Sequence, residues 1–384
     1  MISQAGEISP VTSRIDSKPR VPTAAVLAID VIHPQELCGE IAEQWVRLRN
    51  QSGLHDSPYF DIEFVRAVGR VRNDVEVALA RNESGEIVCF MPYQRISAHH
   101  AEPVGGRLND VHGILGNLAN QSELLTLVMR KAKIYSFGFH AAINRDSGME
   151  KFQFKELDSH YLDIGNGWEE YRKWVRKHSS TVRRQGQKTR ALEREVGPIR
   201  FEFDCADASV LERLIEMKRA KYQRSNTFDI LSVQWAADLL REISNVDAPG
   251  FKGLLSALWA GDETIACHFG LLTDDILHYW FPIFDPQYSK YSPGTEILLQ
   301  VTEHASELGV KKVDLGYGDD AYKFKFCNAT EKVVCGRMTF NRLQFNLAKQ
   351  RYHIRQKLKD IPMKPLAKSL LRGLFPGFGQ WNFK

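Results

Sequence analysis

Apolar residues recur along this chain with two periods, about 3.6 and about 2, and the order in which the two alternate occurs twice. Residues 24–29 form an apolar, strand-like run. Leu37, Ile41, Trp45 and Leu48 then fall at helical spacing and predict a helix over 34–49. Ser57-Pro58 offers a cap followed by Pro in the first turn, and predicts a second helix over 60–68. Strands at 75–80 and 87–95 flank the turn residues Asn82-Glu83-Ser84-Gly85, a hairpin signal. A loop with Gly105-Gly106 and His112-Gly113 leads to a helix over 123–132 and a short strand over 134–139.

The second passage begins with a long charged helix over 168–195, which Gly197-Pro198 stops. A strand at 199–203 and helices at 208–223 and 233–243 follow. Next comes the most regular stretch of the chain. Strands at 254–260, 264–272 and 276–284, joined by Gly261-Asp262 and Asp274-Asp275, are spaced as an antiparallel meander. The loop 285–294 enters an amphipathic helix over 295–308 that Gly309 ends, and strands follow at 312–316 and 333–339. In each passage a helix crossover places the next strand parallel to its neighbour. The expected fold class is α/β: two fused and diverged copies of one unit, each a mostly antiparallel mixed sheet flanked by helices. The expected division is a disordered arm over 1–22, domains over 23–160 and 161–340, and a basic helical tail over 341–384.

Composition supports packed cores rather than disorder: 384 residues suit two domains, with 43% hydrophobic and 26% charged positions. No run of about 18 uncharged apolar residues occurs, so no membrane-spanning helix is expected. Residues 1–20 lack the apolar segment of a signal peptide. Cys38, Cys89, Cys205, Cys267, Cys327 and Cys335 are scattered without a CxxC pair, which argues against a disulfide framework or a metal site and for a reducing, cytoplasmic setting. The net charge of +4 hides an asymmetry. Between 341 and 384, ten Lys or Arg stand against the single acid Asp360, a surplus of nine, so the preceding 340 residues carry a net of −5. Such a tail suits an anionic partner, a membrane surface or nucleic acid; the other reading is a solvated helix that packs its apolar stripe on the body.

Three stretches carry chemistry. The first is the loop that ends Tyr288-Ser289-Lys290-Tyr291-Ser292-Pro293-Gly294 and opens a helix. Free N–H groups at a helix start make an anion site. Ser292 would cap the helix, Lys290 would add charge, and Gly294 has no side chain to block a phosphate; the alternative is a plain capped helix start. The loop matches neither the dinucleotide fingerprint nor the P-loop. In the second, Ala266, His268 and Gly270 share one strand face opposite Ile265, Cys267 and Phe269. That small–His–small face leaves room for a ligand, and an imidazole of ordinary pKa there is a candidate general base, or else a hydrogen-bonded structural histidine. In the third, the stretch with Asp314, Tyr322 and Lys323 ends a parallel strand, where ligands collect in open α/β sheets. Tyr322 would protonate a leaving group and Lys323 would hold an anionic one, or the segment is a turn with solvated charges. The run of Lys and Arg from Arg172 to Arg194 is either a solvated helix face or a docking surface for an anion.

With these residues in view, the chain resembles the CelD-like GNAT-superfamily acyltransferases associated with cellulose and exopolysaccharide biosynthesis. The resemblance rests on Ser57-Pro58-Tyr59-Phe60, the basic segment 183–195, Ile265-Ala266-Cys267-His268-Phe269-Gly270, Tyr279-Trp280 with Asp285-Pro286, Ser292-Pro293-Gly294, Asp314-Leu315-Gly316 and Tyr322-Lys323, in that order. It implies two tandem GNAT-like domains, as in Fem-type transferases, with the first degenerate. It implies acetyl-CoA or another acyl-CoA as co-substrate, its pyrophosphate at 288–294 and the helix 295–308, with Tyr288, Lys290, Ser292, Gly294 and Thr295 as contacts. Trp280, Asp285 and Lys323 are expected on the acceptor side. The expected reaction is acyl transfer to a hydroxyl or amine of a small molecule or saccharide, with His268 as base, Asp314 in reserve, and no metal. The alternatives are a Fem-like transferase using aminoacyl-tRNA and a non-catalytic component of an exopolysaccharide assembly. Under the acyl-CoA reading nucleic acid is not expected as a partner, and the basic tail would meet the inner membrane face.

Overall fold

A computed structural model describes residues 26–52, 56–116, 121–143 and 149–359. The arm over 1–22 and the end of the tail lie outside the described residues. The strands are β1 (Val26–Ile32), β2 (Val75–Asn82), β3 (Ile87–Ser97), β4 (His100–Pro103), β5 (Leu115–Gly116), β6 (Ser136–Ile143), β7 (Gln153–Asp163), β8 (Ile199–Glu202), β9 (Asp247–Ala248), β10 (Phe251–Ala260), β11 (Glu263–Leu272), β12 (Ile276–Phe284), β13 (Lys312–Tyr317) and β14 (Ala329–Thr339). The helices are α1 (Gly39–Ser52), α2 (Ile62–Val71), α3 (Gln121–Lys131), α4 (Trp168–His178), α5 (Ser180–Glu195), α6 (Ala208–Arg224), α7 (Gln234–Ser244), α8 (Pro293–Glu307) and α9 (Arg342–Lys359).

Local chemistry sets the boundaries. Asn82 accepts from the N–H groups of Ser84 and Glu86, and Gly85 takes φ +81°, closing the β2–β3 hairpin. Asp61, not Ser57, caps α2, accepting from Glu63 at 2.9 Å; Ser57-Pro58 instead opens a 3₁₀ turn, Pro58–Phe60. The helix expected over 168–195 is two, because Ser179 leaves helical geometry and caps α5.

The fold is α/β, with a mostly antiparallel mixed sheet flanked by helices. Its order is β1-β2-β3-β4-β6-β14-β7-β13-β12-β11-β10-β8, with β5 on β3 and β9 on β10. Among the described strands only β4–β6 and β12–β13 pair in parallel, and each follows a helix crossover, through α3 and α8. The two halves do not keep separate sheets. β14, from the end of the chain, inserts between β6 and β7, and β7 joins it to β13. The expected division at 160/161 therefore falls inside β7, a strand that the apolar pattern did not predict. A core shared by both halves packs Tyr59, Phe64 and Val68 with Leu211, Leu240 and Phe269. On the other face Leu162, Val175, Leu192, Ile265, Leu298 and Val313 pack α4, α5 and α8 onto the sheet. Among the described residues no helix is long and apolar enough to cross a membrane.

Candidate active site

The sheet opens at one point. β12 and β13 pair over only three residues, Ile276↔Lys312, Leu277↔Val313 and His278↔Asp314. Beyond them β12 continues beside β11 and β13 beside β7, so residues 279–284 have no strand on that edge. A bulge lies at the same level. Phe269 pairs with Phe281 and Leu271 with His278, so Tyr279 and Trp280 stand opposite Gly270 alone. Only glycine fits there, since a Cβ would lie 2.5 Å from the His278 carbonyl oxygen and 2.7 Å from His268 Nε2. The split lies past the end of a parallel pair, where open α/β sheets hold ligands.

His278 sits at the apex, 1% exposed, between two carboxylates. Its Nδ1 is 3.2 Å from Asp314 Oδ2, and Asp314 Oδ1 accepts the Gly316 N–H at 2.9 Å. Its Nε2 is 3.3 Å from Asp110 Oδ2, within ion-pair distance but out of line for a hydrogen bond. Asp110 comes from the loop of the first half, and its side chain keeps 25% exposure. Burial alone would lower the His278 pKa, but the flanking carboxylates raise it to about 9, so an imidazolium stands here at neutral pH. Burial would raise the Asp314 carboxyl, yet His278 and Lys312 hold it well below the carboxylate range. Gly316, at φ +73°, lets Asp110 approach: a Cβ would lie 2.7 Å from its Oδ2. The Tyr59 ring meets His278 edge-on at 5.0 Å. Around this point Tyr59 OH, Tyr279 OH and both nitrogens of His268 are buried without a hydrogen-bond partner. Native interiors rarely leave so many polar groups unsatisfied together.

β12 leads directly into the start of α8. Ser292, in left-handed geometry at φ +56°, does not cap the helix; its hydroxyl accepts from Lys188 Nζ at 2.6 Å. Gln185 donates to the Tyr291 carbonyl at 3.2 Å and Thr189 to Glu296 at 2.7 Å, lacing α5 to the helix start. On the α4–α5 surface Arg176, Lys177, Arg183, Arg184 and Arg190 are exposed and, among the described residues, make no ion pair with an acid.

Residues 176–324 match the acetyltransferase (GNAT) domain family. No curated protein matches the chain. Among solved structures, the C-terminal domain of a candidate lysylphosphatidylglycerol synthetase from Agrobacterium fabrum is similar in fold at 14% identity and TM-score 0.50, covering 82% of this chain and 96% of that one. A tandem GNAT protein of the clavulanic acid biosynthesis pathway aligns at 8% identity and TM-score 0.46, covering 81% and 98%. FemX aligns at 11% identity and TM-score 0.49, covering 71% and 90%.

The GNAT match spans the split, α5 and α8, and within it the expected residues separate. Asp314 and Tyr322 reach the opening, and burial together with Asp320, Asp110 and Asp314 pushes the Tyr322 hydroxyl pKa up. His268 borders it but lacks the expected ordinary pKa. It is fully buried and stacked on Tyr279 at 4.1 Å, and burial, His278 and Lys218 hold its pKa well below the usual value. Lys323 does not point a free charge at a substrate; its ammonium donates to the carbonyls of Gly316 (3.1 Å) and Tyr317 (2.7 Å). Trp280 packs into the shared core beside Tyr59 and Phe64, and Asp285 caps the turn Pro286–Tyr291 by accepting from Gln287. Lys290 is spent on Glu195 at 2.8 Å. Tyr288 and Thr295 line the helix start, the Thr295 N–H bonding to the Ser292 carbonyl, while Gly294 sits against Phe284. His278 and Asp110 were not among the expected site residues. His278 looks like one more member of an aromatic strand, and nothing in the spacing links Asp110 to it.

Proposed function

We propose that the protein transfers an acyl group, acetyl in the simplest case, from acyl-CoA to a hydroxyl or amine. The observation that carries this reading is the opened sheet at His278↔Asp314, where unsatisfied buried polar groups lie beside the strand that leads to a helix start. The donor's phosphates would lie at the start of α8 with Lys188 and the exposed arginines of α5, and its thioester in the split beside the bulge of β12. Bulge N–H groups outside the ladder polarise the thioester carbonyl. The acceptor enters from the first half. Its O–H or N–H proton passes to Asp110 as its oxygen or nitrogen bonds to the acyl carbon. His278, held by Asp314, fixes Asp110. The carbon–sulfur bond breaks, and Tyr322, kept protonated by burial, supplies the proton to sulfur. The CelD-like motifs favour a saccharide acceptor.

Calorimetry with acetyl-CoA and an assay of released CoA test this. Lys188→Ala is the cleaner probe of the helix start, because a larger residue at Gly294 would also press on Phe284, 3.0 Å from its Cβ position. Lys188→Ala should weaken acetyl-CoA binding about tenfold, or roughly 1.4 kcal/mol. Asp110→Asn should cut kcat by about 10² to 10⁴ at unchanged acetyl-CoA affinity. No binding of acetyl-CoA at all would remove the reading. Binding of aminoacyl-tRNA in its place would support the Fem-like alternative, which the unpaired cations of α4–α5 favour.

A further inference from the structure

Helix α9 is apolar on two faces. One faces the body: Phe345 meets Phe152 and Phe154 at 6.4 and 5.7 Å, Tyr352 meets Phe154 at 5.5 Å, and Cys335 Sγ lies 3.3 Å from the Tyr352 hydroxyl. The other faces solvent. Leu343 is 72% exposed, Leu347 54% and Ile354 49%, and Phe340, just before the helix, 44%. At about 100° per residue the three helical positions fall within roughly 40° of one another, a single stripe. A lone exposed leucine needs no explanation, but an aligned set of large apolar side chains on one helix does.

The charge on the same helix narrows what covers the stripe. Arg342, Lys349, Arg351, Arg355, Lys357 and Lys359 lie on α9, and it carries no acid. Arg351 and Lys357 border the stripe on its two sides. An apolar stripe edged by cations and free of acids matches an interface of hydrocarbon beneath anionic headgroups. A second copy of this helix would bring six cations against six, with no acid to offset them. The helix cannot be a span, given its charges.

We propose that the outer face of α9 seats on an anionic bilayer surface, with Leu343, Leu347, Ile354 and Phe340 entering the interface and Arg351 and Lys357 meeting headgroup phosphates. This stands independently of the acyl-transfer reading. Because the inner face of α9 packs on the body, deleting the helix would expose Phe152 and Phe154, so substitution of the outer stripe is the sounder probe.

The test is co-sedimentation of the full chain with phosphatidylcholine vesicles, with and without about one quarter phosphatidylglycerol, together with light scattering after gel filtration. The full chain should partition onto the anionic vesicles and much less onto neutral ones, and binding should fade between about 50 and 200 mM salt. Leu343→Gln/Leu347→Gln/Ile354→Gln, all at exposed positions, should weaken partitioning at least about tenfold while the far-UV spectrum and thermal midpoint hold. Arg351→Gln/Lys357→Gln should weaken it on anionic vesicles alone. Equal sedimentation of parent and triple variant overturns the proposal. So does a parent dimer that the triple variant converts to monomer, which would make the stripe a self-association face. Failure of the full chain to bind either vesicle also overturns it.

Discussion

The two helix crossovers of this chain begin alike and end differently. In the second half β12 and β13 pair at their first residues and then part, and the buried side chains of His278, Asp314 and Tyr279 lie where they part. In the first half β4 and β6 also pair only briefly, at His100↔Ser136 and Ala101↔Phe137. There the gap is filled with backbone. His112 bridges to Ala142, its N–H donating to the Ala141 carbonyl at 3.1 Å and its carbonyl accepting from Ile143 at 2.9 Å. Its imidazole Nε2 takes the N–H groups of His140 and Ala141 at 3.3 Å. A parted parallel pair thus becomes a candidate site or a plug according to what enters the gap. The first half spends its histidine on closing its own split, and lends Asp110 and Tyr59 to the other one.

Replacing the two histidines should separate these roles most strongly. His278→Ala leaves buried Asp314 without the imidazolium that pairs it and should cost about 3–5 kcal/mol in denaturant unfolding, with CoA release down at least about 10³-fold. His112→Ala strands two backbone N–H groups, about 1–3 kcal/mol, and should leave kcat within about twofold. Equal loss of turnover in two folded variants would erase the distinction.

The pH dependence of stability should show the same contrast. The His278 pKa rises from about 6.5 unfolded to about 9 folded, so its contribution is complete below pH 6.5 and is lost as pH rises through 9, about 3 kcal/mol in all. Burial, with Arg107 adding to it, pushes the His112 pKa down to about 3. The unfolded chain then takes up a proton that the folded one refuses, so His112 costs stability as pH falls from about 6.5 toward 3. Across this range, the urea midpoints of His278→Gln and His112→Asn should each show one limb flattened relative to the parent; two unchanged limbs would refute the assignment.

The smallest effect concerns two glycines. Gly316→Ala meets both φ +73° and a Cβ 2.7 Å from Asp110 Oδ2, and should cost about 1–2 kcal/mol and displace Asp110. Gly113 on the plugged side has ordinary φ and nothing nearer than 3.6 Å to a Cβ, so Gly113→Ala should stay within about 0.5 kcal/mol. Thermal scans would compare them directly.

Much of the fold was legible because its signals are local. The meander β10–β12, the α8 crossover and the parallel strand after it follow from alternation and amphipathic spacing, and the glycines and acids between them supply the turns. Cys89 and Cys267, read as small buried apolar residues, are buried and unpaired. The site was legible only in part. Asp314 and Tyr322 stood out because they lie at and beyond the end of a parallel strand. His268 stood out because its face looked empty, yet that space is taken by the Tyr279 ring, and the histidine with an opening before it is its neighbour on the next strand. Ser292 read as a cap because Ser before Pro usually is one, but a left-handed backbone turns its hydroxyl toward Lys188 instead.

By itself the sequence determined most of the strands and helices, β7 and the break at Ser179 excepted, and where each crossover lies. These depend on contacts within about a dozen residues and on the periods of 2 and 3.6 that such contacts impose. Only the tertiary structure decided that β14 would fall between β6 and β7 and make one sheet of two halves, and that Asp110 would face His278 from the opposite half of the chain. A pair of charges brought together across such a distance leaves no periodic trace. Its position is set by how two packed cores meet, a sum over many weak apolar contacts that no single stretch of sequence displays.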